Sequence, residues 1–155
     1  VVNTLQQVLS QTGKRILFVG IGNVLKKDDG AGVYISSRIK TRENISALTV
    51  EVSIENYIGK INSLNPDILI LIDCADMGEK AGTVRLFTLQ EMSDLTFNTH
   101  NISLKKLAGF FKAETFLLGI QPMDLGFGEN ISYLVRGVSN EIINQINKPE
   151  VSHGS

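Results

Sequence analysis

Asp67-Ile-Leu-Ile-Leu-Ile72, followed at once by Asp73 and Cys74, is the stretch that decides the fold. An unbroken apolar run of strand length, entered just after Asn65-Pro66, predicts a strand buried on both faces, because a half-exposed strand alternates instead. The proline stops the short helix expected from Ile58 to Leu64. A strand with no wet face needs helices above and below it and belongs at the centre of its sheet.

Working outward, Arg15-Ile-Leu-Phe-Val-Gly20, Ala47–Val52 and Thr115–Ile120 read as further strands. Helical spacing recurs between them. A weak helix is expected over Thr4–Gln11 and another from about residue 30 to 41, with Arg38 and Lys40 favouring its C-terminal end. Ile102, Leu104, Leu107, Ala108 and Phe111 approximate a third helical face, and Leu134, Val135, Val138, Ile142, Ile143 and Ile146 predict a long amphipathic C-terminal helix. Thr83–Phe87 alternates and follows its predecessor after a loop too short for a helical crossover, so it is expected as an antiparallel or edge strand. Alternating strands and helices imply right-handed crossovers. The expected class is α/β, a three-layer α/β/α sandwich around a mostly parallel twisted sheet of about five strands.

With 155 residues of which 43% are apolar, the chain can cover one core and is expected to form a single domain, residues 1–14 being an N-terminal extension and 148–155 a tail. His153, in that tail, receives no role. Fifteen basic and 16 acidic residues give a net charge of −1, which disfavours nucleic acid as a partner. The single cysteine, Cys74, precludes an internal disulfide, and no secretory or membrane-spanning apolar run is evident; the expected compartment is the cytoplasm, without membrane insertion. Beside Asp73 and with no basic neighbour to lower its pKa, Cys74 reads as a small core residue.

In an open α/β sheet, ligands bind beyond the carboxyl ends of the strands, where strand order reverses. That rule selects three loops. Gly20-Ile-Gly-Asn-Val-Leu-Lys-Lys-Asp-Asp-Gly-Ala-Gly32 places Asp28 and Asp29 ahead of a helix; Asp73, with Asp76 behind it, ends the central strand; Asn98-Thr-His-Asn101 precedes another helix. If the loops share one edge, Asp29, Asp73 and His100 form a mixed oxygen and nitrogen donor set for a divalent ion with open positions, able to polarise a carbonyl or activate water. Taken singly, each has a plainer use. Either of the paired aspartates can cap the following helix, Asp73 can bond loop amides, and His100 can serve as a cap.

Gly20-Ile-Gly22 begins like a dinucleotide fingerprint, but Leu25 stands where a third glycine or alanine is required, and Asp28 and Asp29 would repel a pyrophosphate. A phosphate-binding P-loop, an H-E-x-x-H zinc motif and a G-x-S-x-G nucleophile elbow are all absent from the sequence.

The Gly20–Gly32 segment resembles the N-terminal signature of [NiFe]-hydrogenase maturation proteases. Leu71-Ile-Asp-Cys-Ala-Asp-Met-Gly78, Thr99-His-Asn101 and Gly119-Ile-Gln-Pro122 resemble further blocks of that family, in the same order, so that the likeness spans about residues 15 to 147. It is nearest to the branch acting on hydrogenase-3-type large subunits, where aspartate holds the position of Asp29. The resemblance implies that Asp29, Asp73 and His100 bind nickel or a surrogate divalent ion. It further implies an endopeptidase that removes the C-terminal extension of a nickel-loaded large-subunit precursor, the nickel being presented by that precursor. Gly22, Gly30 and Gly32 would let the backbone approach the site, while Asn23, Asp28, Asp76 and Asn101 would orient the ligands or the substrate. Two other functions compete with this one: a nucleotide-binding module, and a noncatalytic metal-dependent assembly factor.

Overall fold

A computed structural model describes residues 2–11, 13–92, 106–107 and 109–148. In chain order the elements are helix α1 (Val2–Leu9), strand β1 (Ile16–Ile21), helix α2 (Ala31–Ser36), strand β2 (Ile45–Glu51), helix α3 (Ile58–Ser63) and strand β3 (Ile68–Cys74). Strand β4 (Val84–Thr88), helix α4 (Leu89–Met92), strand β5 (Glu114–Ile120) and helix α5 (Tyr133–Asn147) complete them. Short 3-10 turns at Lys27–Gly30 and Ile54–Tyr57 lead into α2 and α3.

The strands form one sheet in the order β2-β1-β3-β5-β4. β3 lies in the middle, parallel to β1 on one side and to β5 on the other, and all of its residues are buried. Its period-two alternation sends Ile68, Ile70 and Ile72 into a core shared with α1, α2 and α5, while Leu69 and Leu71 enter the opposite core with Ile61 of α3 and Met92 of α4. Each such side chain contributes about 1.5–3 kcal/mol of burial free energy, so the isoleucine and leucine faces of β3 hold the two helical layers to one sheet. β4 is the antiparallel edge strand expected from its short connection, paired only with β5 among the described strands.

Some boundaries differ from expectation for local reasons. The helix expected to reach residue 41 ends at Ser36. Beyond it the Asn147 side chain accepts a hydrogen bond from the Lys40 N–H (2.8 Å) and donates one to the Arg38 carbonyl (2.9 Å), fixing a non-helical exit against the end of α5. Helix α4 was not anticipated, although its start carries a capping box: the Glu91 N–H donates to the Thr88 hydroxyl (3.3 Å) and the Thr88 N–H to the Glu91 carboxylate (3.1 Å). Most of the helix expected over Ile102–Phe111 lies outside the described residues, but Leu107 and Phe111 pack into the second core as that pattern required.

Strand order reverses between β1 and β3, since the chain moves outward from β1 to β2 and then returns to the other side of β1. Helix α2 begins over this point. A Cβ on Gly32 would overlap the carbonyl oxygens of Ile21 and Ile72, so only glycine lets the helix sit this close to the ends of β1 and β3. Alanine is about 1 kcal/mol better than glycine inside a helix, yet overpacking against rigid backbone costs about 1–3 kcal/mol or more. Gly32→Ala is therefore expected to destabilise the protein by about 2 kcal/mol, read from urea unfolding; a gain in stability would show that α2 is free to move away from the sheet.

Candidate functional site

The reversal point brings together the carboxyl ends of β1 and β3, and with them the two acidic segments. Asp29 follows β1 in the Lys27–Gly30 turn and is half-buried; Asp73 is the penultimate residue of β3, fully buried and in register with Gly119 of β5. Beside Asp29 opens a cleft of about 310 Å³ whose polar lining is Asp29, Asp76, Gln121 and Cys74, with Pro122, Met123 and Leu125 as its apolar wall.

Backbone geometry aims Asp29. Gly22 has φ +148°, and a Cβ there would overlap the Asp29 carbonyl oxygen, so the glycine allows the two loop strands to touch. Across that contact the Asn23 N–H donates to Asp29 Oδ2 at 2.9 Å. Asn23 contributes through its backbone; its side-chain oxygen accepts from the Leu25 N–H (3.0 Å) and closes the loop. Gly30 occupies the N-cap position of α2 with its α-carbon side against Val24. No side chain caps α2, so the plainer reading of Asp28 and Asp29 as helix caps is set aside by the geometry.

Asp28 does something else. Its carboxylate, 0% exposed, accepts from the Met123 N–H, the Asp124 N–H and the Ser132 hydroxyl on Oδ2 (each 2.8 Å) and from the Ser132 N–H on Oδ1 (2.7 Å). The Asp28 N–H in turn donates to the Asp124 carbonyl (3.1 Å), the Lys27 N–H to the Gly128 carbonyl (2.8 Å), and the Gly128 N–H to the Leu25 carbonyl (2.9 Å). The loop after β1 and the loop after β5 are thus one hydrogen-bonded unit, with Lys27 and Asp124 paired at 2.9 Å on its surface. A buried carboxylate is tolerated because its oxygens are met by donors.

Gln121, the first residue after β5, plays the matching part for the loop after β3. Its Oε1 accepts from the Met77 (2.6 Å) and Glu79 (3.3 Å) N–H groups, and its Nε2 donates to Asp76 Oδ1 at 3.1 Å. That amide, followed by the Gly78 N–H, holds the exposed Asp76 carboxyl below the usual range. Gln121 was passed over as a site residue, although a polar side chain directly after a buried strand is the same signal that selected Asp73.

Cys74 reports on the charge of the site. Burial, then Asp73, Asp29, Asp28 and Asp76, push its thiol far above the ordinary range, so four carboxylates act on one point and the thiol stays protonated. Asp29, in the loop after β1, and Asp73, at the end of the neighbouring β3, lie at the same edge of the sheet. His100 and Asn101 lie outside the described residues. Among the described residues no three histidine, cysteine, aspartate or glutamate side chains are grouped closely enough to hold an ion. The two carboxylates suit a divalent cation by charge and hardness, and a complete coordination sphere requires further donors.

The family model of hydrogenase maturation proteases (HycI) matches residues 33–148. The hydrogenase 3 maturation protease of Escherichia coli K12 is 30% identical over 113 residues, covering 69% of this chain and 72% of that protein. The crystal structure of a [NiFe] hydrogenase maturation protease HycI from Thermococcus kodakarensis superposes with a TM-score of 0.81 at 27% identity, over 94% of this chain and 99% of the other. The solution structure of an endopeptidase HycI from Escherichia coli does so with a TM-score of 0.76 at 25% identity, over 86% and 89%.

Replacing Asp28 by asparagine turns one acceptor into a donor facing donors. Hydrogen bonds to charged groups contribute about 1.5–3 kcal/mol each, and stranded buried donors cost about as much, so Asp28→Asn is expected to lose about 3 kcal/mol in denaturant unfolding, with amide exchange at 123–132 accelerating most. Protection unchanged in that loop would mean that the carboxylate does not organise it.

Proposed function

This chain belongs to the hydrogenase maturation protease family, hydrolases that cut peptide bonds, and on that premise we propose that it removes the C-terminal extension of a nickel-loaded [NiFe]-hydrogenase large-subunit precursor in the cytoplasm. The observation that supports this most directly is the placement of Asp29 and Asp73 on the two sides of the strand-order reversal, with Asp29 lining an open cleft there. No helix among the described residues is long and apolar enough to cross a membrane.

Nickel enters this reading with the substrate, and supplies there a positive charge that polarises a neighbouring carbonyl or water. Asp29, Asp73 and His100 would complete its coordination, so that a precursor without nickel binds weakly; other divalent ions can take its place. This chain's own contribution is preorganisation. Asp73 is fixed in a β-ladder at the end of the central strand, next to Cys74 of the cleft lining. Asp29 is half-exposed to the cleft and oriented by the Asn23 N–H, which leaves it able to accept a proton from an attacking water. Gln121 ties the loop after β3 to the end of β5 through the Met77 N–H and the Asp76 carboxylate, fixing one side of the cleft.

The decisive experiment mixes the protein with nickel-loaded and nickel-free precursor and follows the precursor's C-terminus by intact mass spectrometry. Cleavage of the loaded form alone is expected. Asp29→Asn and His100→Ala should each lower the rate by at least about 100-fold, the usual contribution of a general base or an equivalent polar group. Binding of the loaded precursor without any mass change would instead identify a noncatalytic assembly factor, and equal cleavage of both forms would remove nickel from recognition.

A further inference from the structure

The buried Asp28 carboxylate orders a loop whose outward side chains are large and apolar. Met123 is 50% exposed, Leu125 41% and Phe127 92%, and on the facing loop Leu25 is 56% exposed. Single exposed apolar residues are ordinary on a protein surface. These four differ in arrangement. The Gly128 N–H to Leu25 carbonyl bond sets Leu25 beside Phe127 and Gly128, while Met123 and Leu125 also line the cleft that contains Asp29. A loose loop could fold such side chains against the core. Here the bonds from residues 123, 124 and 132 to Asp28, and the Lys27–Asp124 pair, keep them turned to solvent.

We infer that residues Leu25, Met123, Leu125 and Phe127 form a preordered platform that seats an apolar, non-acidic segment of the precursor polypeptide flanking the scissile bond. This rests on the peptidase reading above. Two observations choose the occupant. Two of its four residues, Met123 and Leu125, also line the cleft, so a segment lying on it is led towards Asp29. The carboxylates of Asp29 and Asp76 at that cleft repel acidic peptides, nucleic acid and anionic lipid surfaces alike. Ordering the platform during folding removes a cost that binding would otherwise meet, and Met and Leu side chains adapt to varied apolar partners. The platform is thus a determinant of substrate affinity, separate from the groups that act on the peptide bond.

The test compares wild type, Phe127→Ser, Leu125→Ser and Phe127→Leu on the nickel-loaded precursor, with both cleavage kinetics and direct binding measured. Phe127 is nearly fully exposed, so its variants keep the fold, and thermal unfolding verifies this. The serine variants are expected to raise KM and Kd by about tenfold, the effect of truncating a central apolar contact, with kcat kept within about twofold. Phe127→Leu should stay near wild type. Phe110→Ser, at another exposed aromatic (65% exposed) at the opposite end of the sheet, should change neither value. Serine variants with wild-type KM and Kd, or with a fall in kcat alone, would overturn the platform. So would a wild-type protein that elutes as a dimer and a Phe127→Ser variant that elutes as a monomer, since the surface would then serve self-association. If wild type binds the precursor but leaves it uncut while Phe127→Ser still weakens binding, the platform stands and the peptidase reading falls.

Discussion

Because β3 is apolar on both faces, water must be excluded from both, and that requirement generates the two helical layers, the parallel neighbours and the central position of this strand. The same requirement makes the end of β3 the first place where a polar group can appear. Asp73 stands there, where the strand order turns and α2 comes down on the sheet through the Gly32 contact. Acid chemistry at this point follows from the architecture: the helix and sheet bury what lies below, and the loops decide what is exposed above.

Those loops are organised in pairs that cross the sheet. The loop after β1 is joined to the loop after β5 through Asp28, and the loop after β3 is joined to the end of β5 through Gln121. Neither Asp28 nor Gln121 needs to meet a substrate to matter. Each uses a buried polar group, satisfied by backbone donors, to hold one wall of the cleft relative to another, which is how a catalytic constellation on loops acquires the rigidity of the elements below it. The two carboxylates of the Asp28-Asp29 pair consequently face different tasks, one inward to a loop and one toward the cleft, although they are neighbours in sequence.

Much of this was legible from the chain. The apolar run at β3, the alternation at β4 and the helical spacing of α5 give the layers and the antiparallel edge, because burial dictates those patterns locally. Asp29 and Asp73 were selected by the carboxyl-edge rule, and both sit at that edge of the sheet. The role of Asp28 was not legible, since its partner Ser132 is 104 positions away and nothing local marks a pairing of loops. Gln121 was overlooked because a neutral amide does not draw attention where carboxylates do, and the length of α2 was misjudged because its end is set by Asn147, at the far terminus of α5. His100 and Asn101 belong to the segment the structure does not describe.

The bond from Ser132 to Asp28 also has a temporal meaning. Parallel strands separated by long connections form late, and the contacts that close this cleft are among the most sequence-distant in the molecule. A nascent chain that has emerged only as far as β5 already contains Asp29 and Asp73, but the loop that walls their cleft and satisfies Asp28 is still to come. The cleft is therefore complete only once the segment beyond β5 has been made, and a chain interrupted before it presents acidic side chains without the loop that walls them.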